Sequence, residues 1–124
     1  MFGCTSQPAA VEPFSQPLAA AGDPVRGREV FISREGGHCV LCHAAPGVAI
    51  AGNVGPPMAG IASRFTVPQL RLRVADITQV QRETVMPTFH RTEGMERVAP
   101  ELRGKPALSA QQVEDVVAYL STLK

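Results

Sequence analysis

A chain of 124 residues is long enough for one domain and no more. Its formal charge of +1 argues against nucleic acid binding as the main task, and no apolar run reaches the length of a membrane span. Tryptophan is absent, and Tyr119 with five phenylalanines supplies all the aromatic bulk, a demand that a large apolar cofactor would lower.

Residues 1–22 are rich in Ala, Pro, Gln and Ser, with prolines at 8, 13 and 17, and read as a flexible tail. Cys4 lies in this tail. Its surroundings, Phe2-Gly3-Cys4-Thr5, resemble a lipoprotein cleavage site but lack the apolar stretch before it. A lipid anchor, a disulfide to a partner and an idle thiol are equal readings. The ordered domain is expected over 23–124. It begins at Asp23-Pro24, an N-cap followed by proline at the first helical position. The first helix carries Val25 to Ile32 and is expected to stop near Gly36-Gly37. Gly27 and Phe31 share one face, where the glycine admits a second helix closely.

Next comes Cys39-Val40-Leu41-Cys42-His43, the attachment signature of c-type haem. Each thiol adds across one vinyl group of the porphyrin, so both must project from one short turn, and the adjacent imidazole falls beneath the iron. A zinc site needs four N or S ligands, usually as two spaced pairs, and Cys4, His38 and His90 form no second pair. A redox dithiol of the thioredoxin kind needs a βαβ setting that is missing here.

The loop from Ala44 to Gly60 is dense in Gly and Pro and cannot be helical across Gly52 to Met58. A ligating imidazole gives its other N–H to a fixed acceptor. The Pro56 carbonyl is the candidate, against a loop whose prolines merely stiffen it. Ala59 to Phe65 suits one or two helical turns ending in Arg64, which either pairs with a haem propionate or faces solvent. Thr66 reads as the N-cap of a short helix over Val67 to Ala75, although the alternation Leu70, Leu72, Val74 also suits a strand.

Met86-Pro87 is the second candidate site. A thioether is a soft ligand that raises the potential of haem iron when paired with His. Met86 lies 43 residues past His43, ample chain to pass around the macrocycle. Thr84 or Thr88 is placed to orient the sulfur, and Pro87 to fix the backbone. The alternatives are His90, Met58, Met95 or an open position, and a lone Met is more often core filler. Five arginines between 64 and 91 face only Asp76 and Glu83, which makes either a docking face or a solvated surface. The polar stretch from Arg91 to Pro106 reads as a loop excursion. Ser109 and Gln112 then form a capping box. Behind it Val113, Val116, Val117, Leu120 and Leu123 make one apolar stripe, with Glu114 and Asp115 near the positive helix end. Tyr119 or Leu120 should meet the Gly27/Phe31 face.

Together these segments resemble the class I cytochromes c. Within them the chain is similar to the SoxX family, the small monohaem subunits of SoxAX complexes. The likeness covers 23–124 and rests on Gly52 to Pro57, Arg64, Thr84-Val85-Met86-Pro87-Thr88-Phe89 and Leu108 to Leu123. It implies an all-α fold, with N- and C-terminal helices crossing around a covalently bound haem. It further implies one haem c with thioethers to Cys39 and Cys42 and axial ligands His43 and Met86. The implied partner is a larger, SoxA-like cytochrome subunit. That complex oxidatively joins thiosulfate to a cysteine of the carrier SoxYZ, and this chain takes up the electrons for a downstream cytochrome acceptor. A periplasmic location is expected, with the signal peptide removed. No transferase activity is expected of the chain alone, since Cys39 and Cys42 are consumed and only Cys4 is left as a thiol. The alternative is a free-standing periplasmic electron carrier.

Overall fold

The computed structural model describes residues 14–90 and 106–124. Among these residues there are four α-helices, two single 3₁₀ turns and no strand. None of the helices is long and apolar enough to cross a membrane. Helix α1 (Pro24–Ile32) starts where its cap dictates: the Asp23 carboxylate accepts from the amides of Val25 and Arg26, and Pro24 needs no partner. It ends before the two glycines expected to stop it. Ser33 turns extended, and Gly36, Gly37 and His38 bond back to the carbonyls of Ser33 and Val30. The glycines therefore shape the following turn, not the helix end.

Two short helices, α2 (Ile61–Arg64) and α3 (Val67–Asp76), follow the Gly-Pro loop. Thr66 and Gln69 exchange side-chain and backbone bonds in a full capping box, which decides α3 as helix over strand. Its inward residues are Leu70, Arg71, Val74 and Ala75, a helical spacing that leaves Leu72 half-buried. The last helix, α4 (Ala110–Leu120), opens on a second capping box between Ser109 and Gln112.

The core is built where α1 and α3 both pack on α4. Gly27 lies against the α4 backbone: a Cβ there would overlap the Asp115 carbonyl and come within 2.9 Å of Tyr119 Cβ. Phe31 and Tyr119 meet edge to face at 5.5 Å between centroids, so Tyr119 is the residue that meets the glycine face. Val113, Val116, Val117 and Leu120 fill the rest of the stripe with Leu108 and Val40. Each such side chain contributes about 1.5–3 kcal/mol by leaving water.

Glu114 and Asp115 do not serve as exposed charges at a helix end. Both are buried and hold distant chain. Arg71 of α3 grips Glu114 through two bonds of 2.7 and 2.9 Å and donates to the Phe14 carbonyl at 3.1 Å, while Glu114 also accepts from the Leu18 amide. Asp115 accepts from the Asp23 amide, Arg26 and Gln111. Phe14 and Leu18 pack on the core cluster, and Gln111 donates to the Ala20 carbonyl. Of the expected tail, residues 14–22 thus run fixed along α3 and α4. Residues 1–13, Cys4 among them, lie outside the described residues.

Burial alone would raise the Asp115 carboxyl, but hydrogen bonds from Arg26, the Asp23 amide and Gln111, together with the Arg26 charge, outweigh it and hold it below the usual carboxylate range. A depressed folded-state pKa gives stability that is present above the unfolded value and lost as pH falls through the folded one. Asp115→Asn should therefore flatten the acid limb of a stability–pH curve below about pH 4 relative to wild type, measured by urea unfolding.

Residues 91–105, including Met95, lie outside the described residues. The two ends of this excursion are joined: Leu108 donates to the Phe89 carbonyl at 2.7 Å, His90 Nδ1 donates to the Leu108 carbonyl at 3.0 Å, and the His90 amide donates to Ala75. That tie occupies one ring nitrogen of His90.

Candidate haem and electron-transfer site

Cys39 to Leu41 form a 3₁₀ turn, entered through His38 in the left-handed region at φ 47°. The Cys39 carbonyl accepts from the amides of Cys42 and His43 at 3.1 and 2.9 Å. This local closure projects Cys39, Cys42 and His43 from one turn. Val40 points into the core with no exposure, whereas Leu41 is 62% exposed. Both thiols are free. Burial against the core pushes the Cys39 thiol up to about 12, so it stands as neutral sulfur on an apolar wall.

The Gly-Pro loop is laced to this turn at three points. Gly52 donates to Val40, Gly55 to Cys42 and Met58 to Ala44, at 3.1, 2.8 and 2.8 Å. The lacing places the Pro56 carbonyl 2.7 Å from His43 Nδ1. A carbonyl only accepts, so Nδ1 carries the proton and Nε2 is left with a free lone pair. Gly55 forms the floor under the imidazole: a Cβ there would overlap the ring. This support was not anticipated, although a glycine directly before Pro56 was its signal in the sequence.

Met58 belongs to the same lacing and is buried in the core beside Ala44. Arg64 stays exposed and donates to the Pro57 carbonyl at 3.0 Å. Met86 is half-buried against the core cluster, and its amide donates to Thr84 Oγ1 at 3.0 Å. Phe89 is buried, and Val85 is 83% exposed. Among the described residues no three His, Cys, Asp or Glu side chains converge. A four-ligand site of the zinc kind would need ligands from elsewhere. Two thiols and an imidazole with a free, oriented Nε2 on a single turn instead fit covalent haem, for which the chemistry needs this donor set and no further carboxylate.

Comparison with curated proteins found no match. Among solved structures, the chain is similar to the crystal structure of SoxXA from P. pantotrophus, with 36% identity and a TM-score of 0.78 over 92% of this chain and 89% of that one. The c-type cytochrome SorU from Sinorhizobium meliloti shares the fold at 23% identity, with a TM-score of 0.52 over 81% of this chain and 88% of that one. The family model described as cytochrome c matches residues 24–124, from the first residue of α1 to the chain's last residue. By that match the chain belongs to the cytochrome c family, whose members carry covalent haem c and transfer electrons.

Proposed function

We propose that this chain is the electron-accepting haem c subunit of a SoxAX-type complex. The observation that supports this most is the 36% identity to SoxXA, which extends over 92% of the chain and not merely over the attachment motif. In this reading Cys39 and Cys42 hold one haem by thioethers, and His43 and Met86 are its axial ligands. Haem c supplies a one-electron redox couple. The chain's own residues set the conditions for it. Pro56 fixes the imidazole tautomer and strengthens its basicity, Gly55 keeps the ring plane open, and the neutral sulfur of Met86 favours the reduced state. Arg64, held at Pro57, is within the same loop system and is assigned to a haem propionate.

The cytochrome unit comprises 23–124, and residues 14–22 extend it along α3 and α4. The setting is the periplasm, and the partner is a larger, SoxA-like cytochrome. Joining thiosulfate to a cysteine of a SoxYZ-type carrier forms one S–S bond and releases two electrons. Among the described residues no free thiol would remain in this chain once haem is attached. The sulfur chemistry accordingly belongs to the partner, and this chain passes electrons onward to a downstream cytochrome. Co-expression with the larger subunit should yield a one-to-one complex that couples thiosulfate, while this subunit alone takes up electrons without coupling. Elution of this chain alone beside a fully competent large subunit would contradict the assignment and favour a free carrier.

Met86→Ala should abolish the weak near-infrared sulfur-to-iron band and lower the reduction potential. An unchanged spectrum would move the ligand role to another residue.

A further inference from the structure

We propose that Thr84 is the positioning residue that keeps the Met86 thioether available to the iron, an inference that rests on reading Met86 as the second axial ligand. Upstream of this segment, Val80 and Gln81 bond back to the Ile77 carbonyl; downstream, Phe89 and His90 are tied to Leu108 and Ala75. Between these anchors, residues 82–88 make one hydrogen bond among the described residues: the Met86 amide to Thr84 Oγ1 at 3.0 Å. Arg82, Glu83, Val85 and Pro87 are exposed, and Pro87 has no N–H to donate. Pro87 also confines Met86 to extended backbone, which narrows the segment's choices without selecting one. The Thr84 hydroxyl therefore decides whether the segment stays closed over Met86 or swings out.

A segment that opens and closes can be read by competition. An added ligand that takes the iron only when Met86 is away binds with an apparent affinity proportional to the open fraction. Removing one hydrogen bond of ordinary strength raises that fraction about 2- to 10-fold. Free imidazole is a suitable competitor, titrated into the ferric holoprotein while the near-infrared sulfur band is followed. Thr84→Val and Thr84→Ala should bind imidazole about 2- to 10-fold more tightly than wild type, and Thr84→Ser, which keeps the acceptor, should match wild type. A thermal midpoint measured on each variant separates this from a general loss of packing. Equal imidazole affinity in all four proteins, with the sulfur band present, overturns the role of Thr84, and so does a lowered midpoint without tighter imidazole binding. Absence of the band from the wild type overturns the Met86 reading itself and this inference with it, so the two failures are told apart.

Discussion

Gly27→Val is expected to remove the cooperative thermal unfolding transition of the holoprotein, followed by far-ultraviolet circular dichroism. Even Gly27→Ala should cost at least about 3 kcal/mol, at the upper end of what overpacking usually costs. The reason is what the new atom meets. A Cβ at position 27 would overlap a backbone carbonyl, that of Asp115, and crowd Tyr119 Cβ at 2.9 Å. A side chain can rotate away, but the Asp115 carbonyl sits in the middle of α4 and moves only if the helix moves. Displacing α4 from α1 separates Phe31 from Tyr119 and loosens the stripe of Val113, Val116 and Val117. A domain of this size has a total stability of about 5–15 kcal/mol, so the valine variant should fall below the folding threshold. Glu29→Ala, at an exposed position on the same helix, is the control and should change stability by less than about 0.5 kcal/mol. A Gly27→Ala protein within about 1 kcal/mol of wild type would mean that the helices do not approach as closely as described.

The second large effect is expected at the buried Arg71–Glu114 pair. Both side chains are 5% exposed and joined by two bonds in fork geometry. Arg71→Met leaves an unpaired carboxylate in the core and should cost about 3–5 kcal/mol. The double variant Arg71→Met/Glu114→Leu removes both charges and should recover most of that loss, because an apolar pair of similar volume carries no desolvation penalty. It will not recover everything the pair does. The Phe14 carbonyl and the Leu18 amide lose their partners in the double variant as well. Limited proteolysis should consequently cut between residues 14 and 22 faster in the double variant than in wild type, while the urea midpoint stays near the wild-type value. Equal cleavage rates would show that Phe14 and Leu18 are held by apolar packing alone.

These two sites mark where the sequence was legible and where it was not. Local signals carried through. The Asp23, Thr66 and Ser109 caps begin helices where they stand, because a cap bonds only to residues two or three ahead. The α4 stripe has helical period and lies in the core. The glycine at 27 reported a close helix contact because little else explains glycine in a short helix. What failed was long-range or depended on competing turns. Nothing near Glu114 in the chain reveals that Arg71, 43 positions away, neutralises it, so its place near the helix start was legible and its buried partner was not. For the same reason residues 14–22 read as a tail: Pro and Ala give no hint that Phe14 and Leu18 find a groove. The end of α1 was misplaced because Gly36-Gly37 is a good stop signal, but Ser33 leaves the helix first and the glycines are used to fold the entry to the Cys39 turn.

At the site, the projection of Cys39, Cys42 and His43 from one short turn was readable because that turn closes on its own backbone. The floor beneath the imidazole was not, since Gly55 acts through a contact 12 positions from His43. Nor could Thr84 be separated from Thr88 by sequence, both being two residues from Met86. Geometry separates them, for it is Thr84 that accepts the Met86 amide.

The central claim, that one haem is bound through both cysteines of the Cys39–Cys42 turn, is tested most directly by intact mass. The chain is produced with a haem-attachment system, unfolded in acid and extracted with organic solvent before weighing. A polypeptide heavier by one haem, with the colour retained in the protein fraction, is the result expected. A polypeptide of unmodified mass, with the pigment in the solvent or absent, would contradict the account.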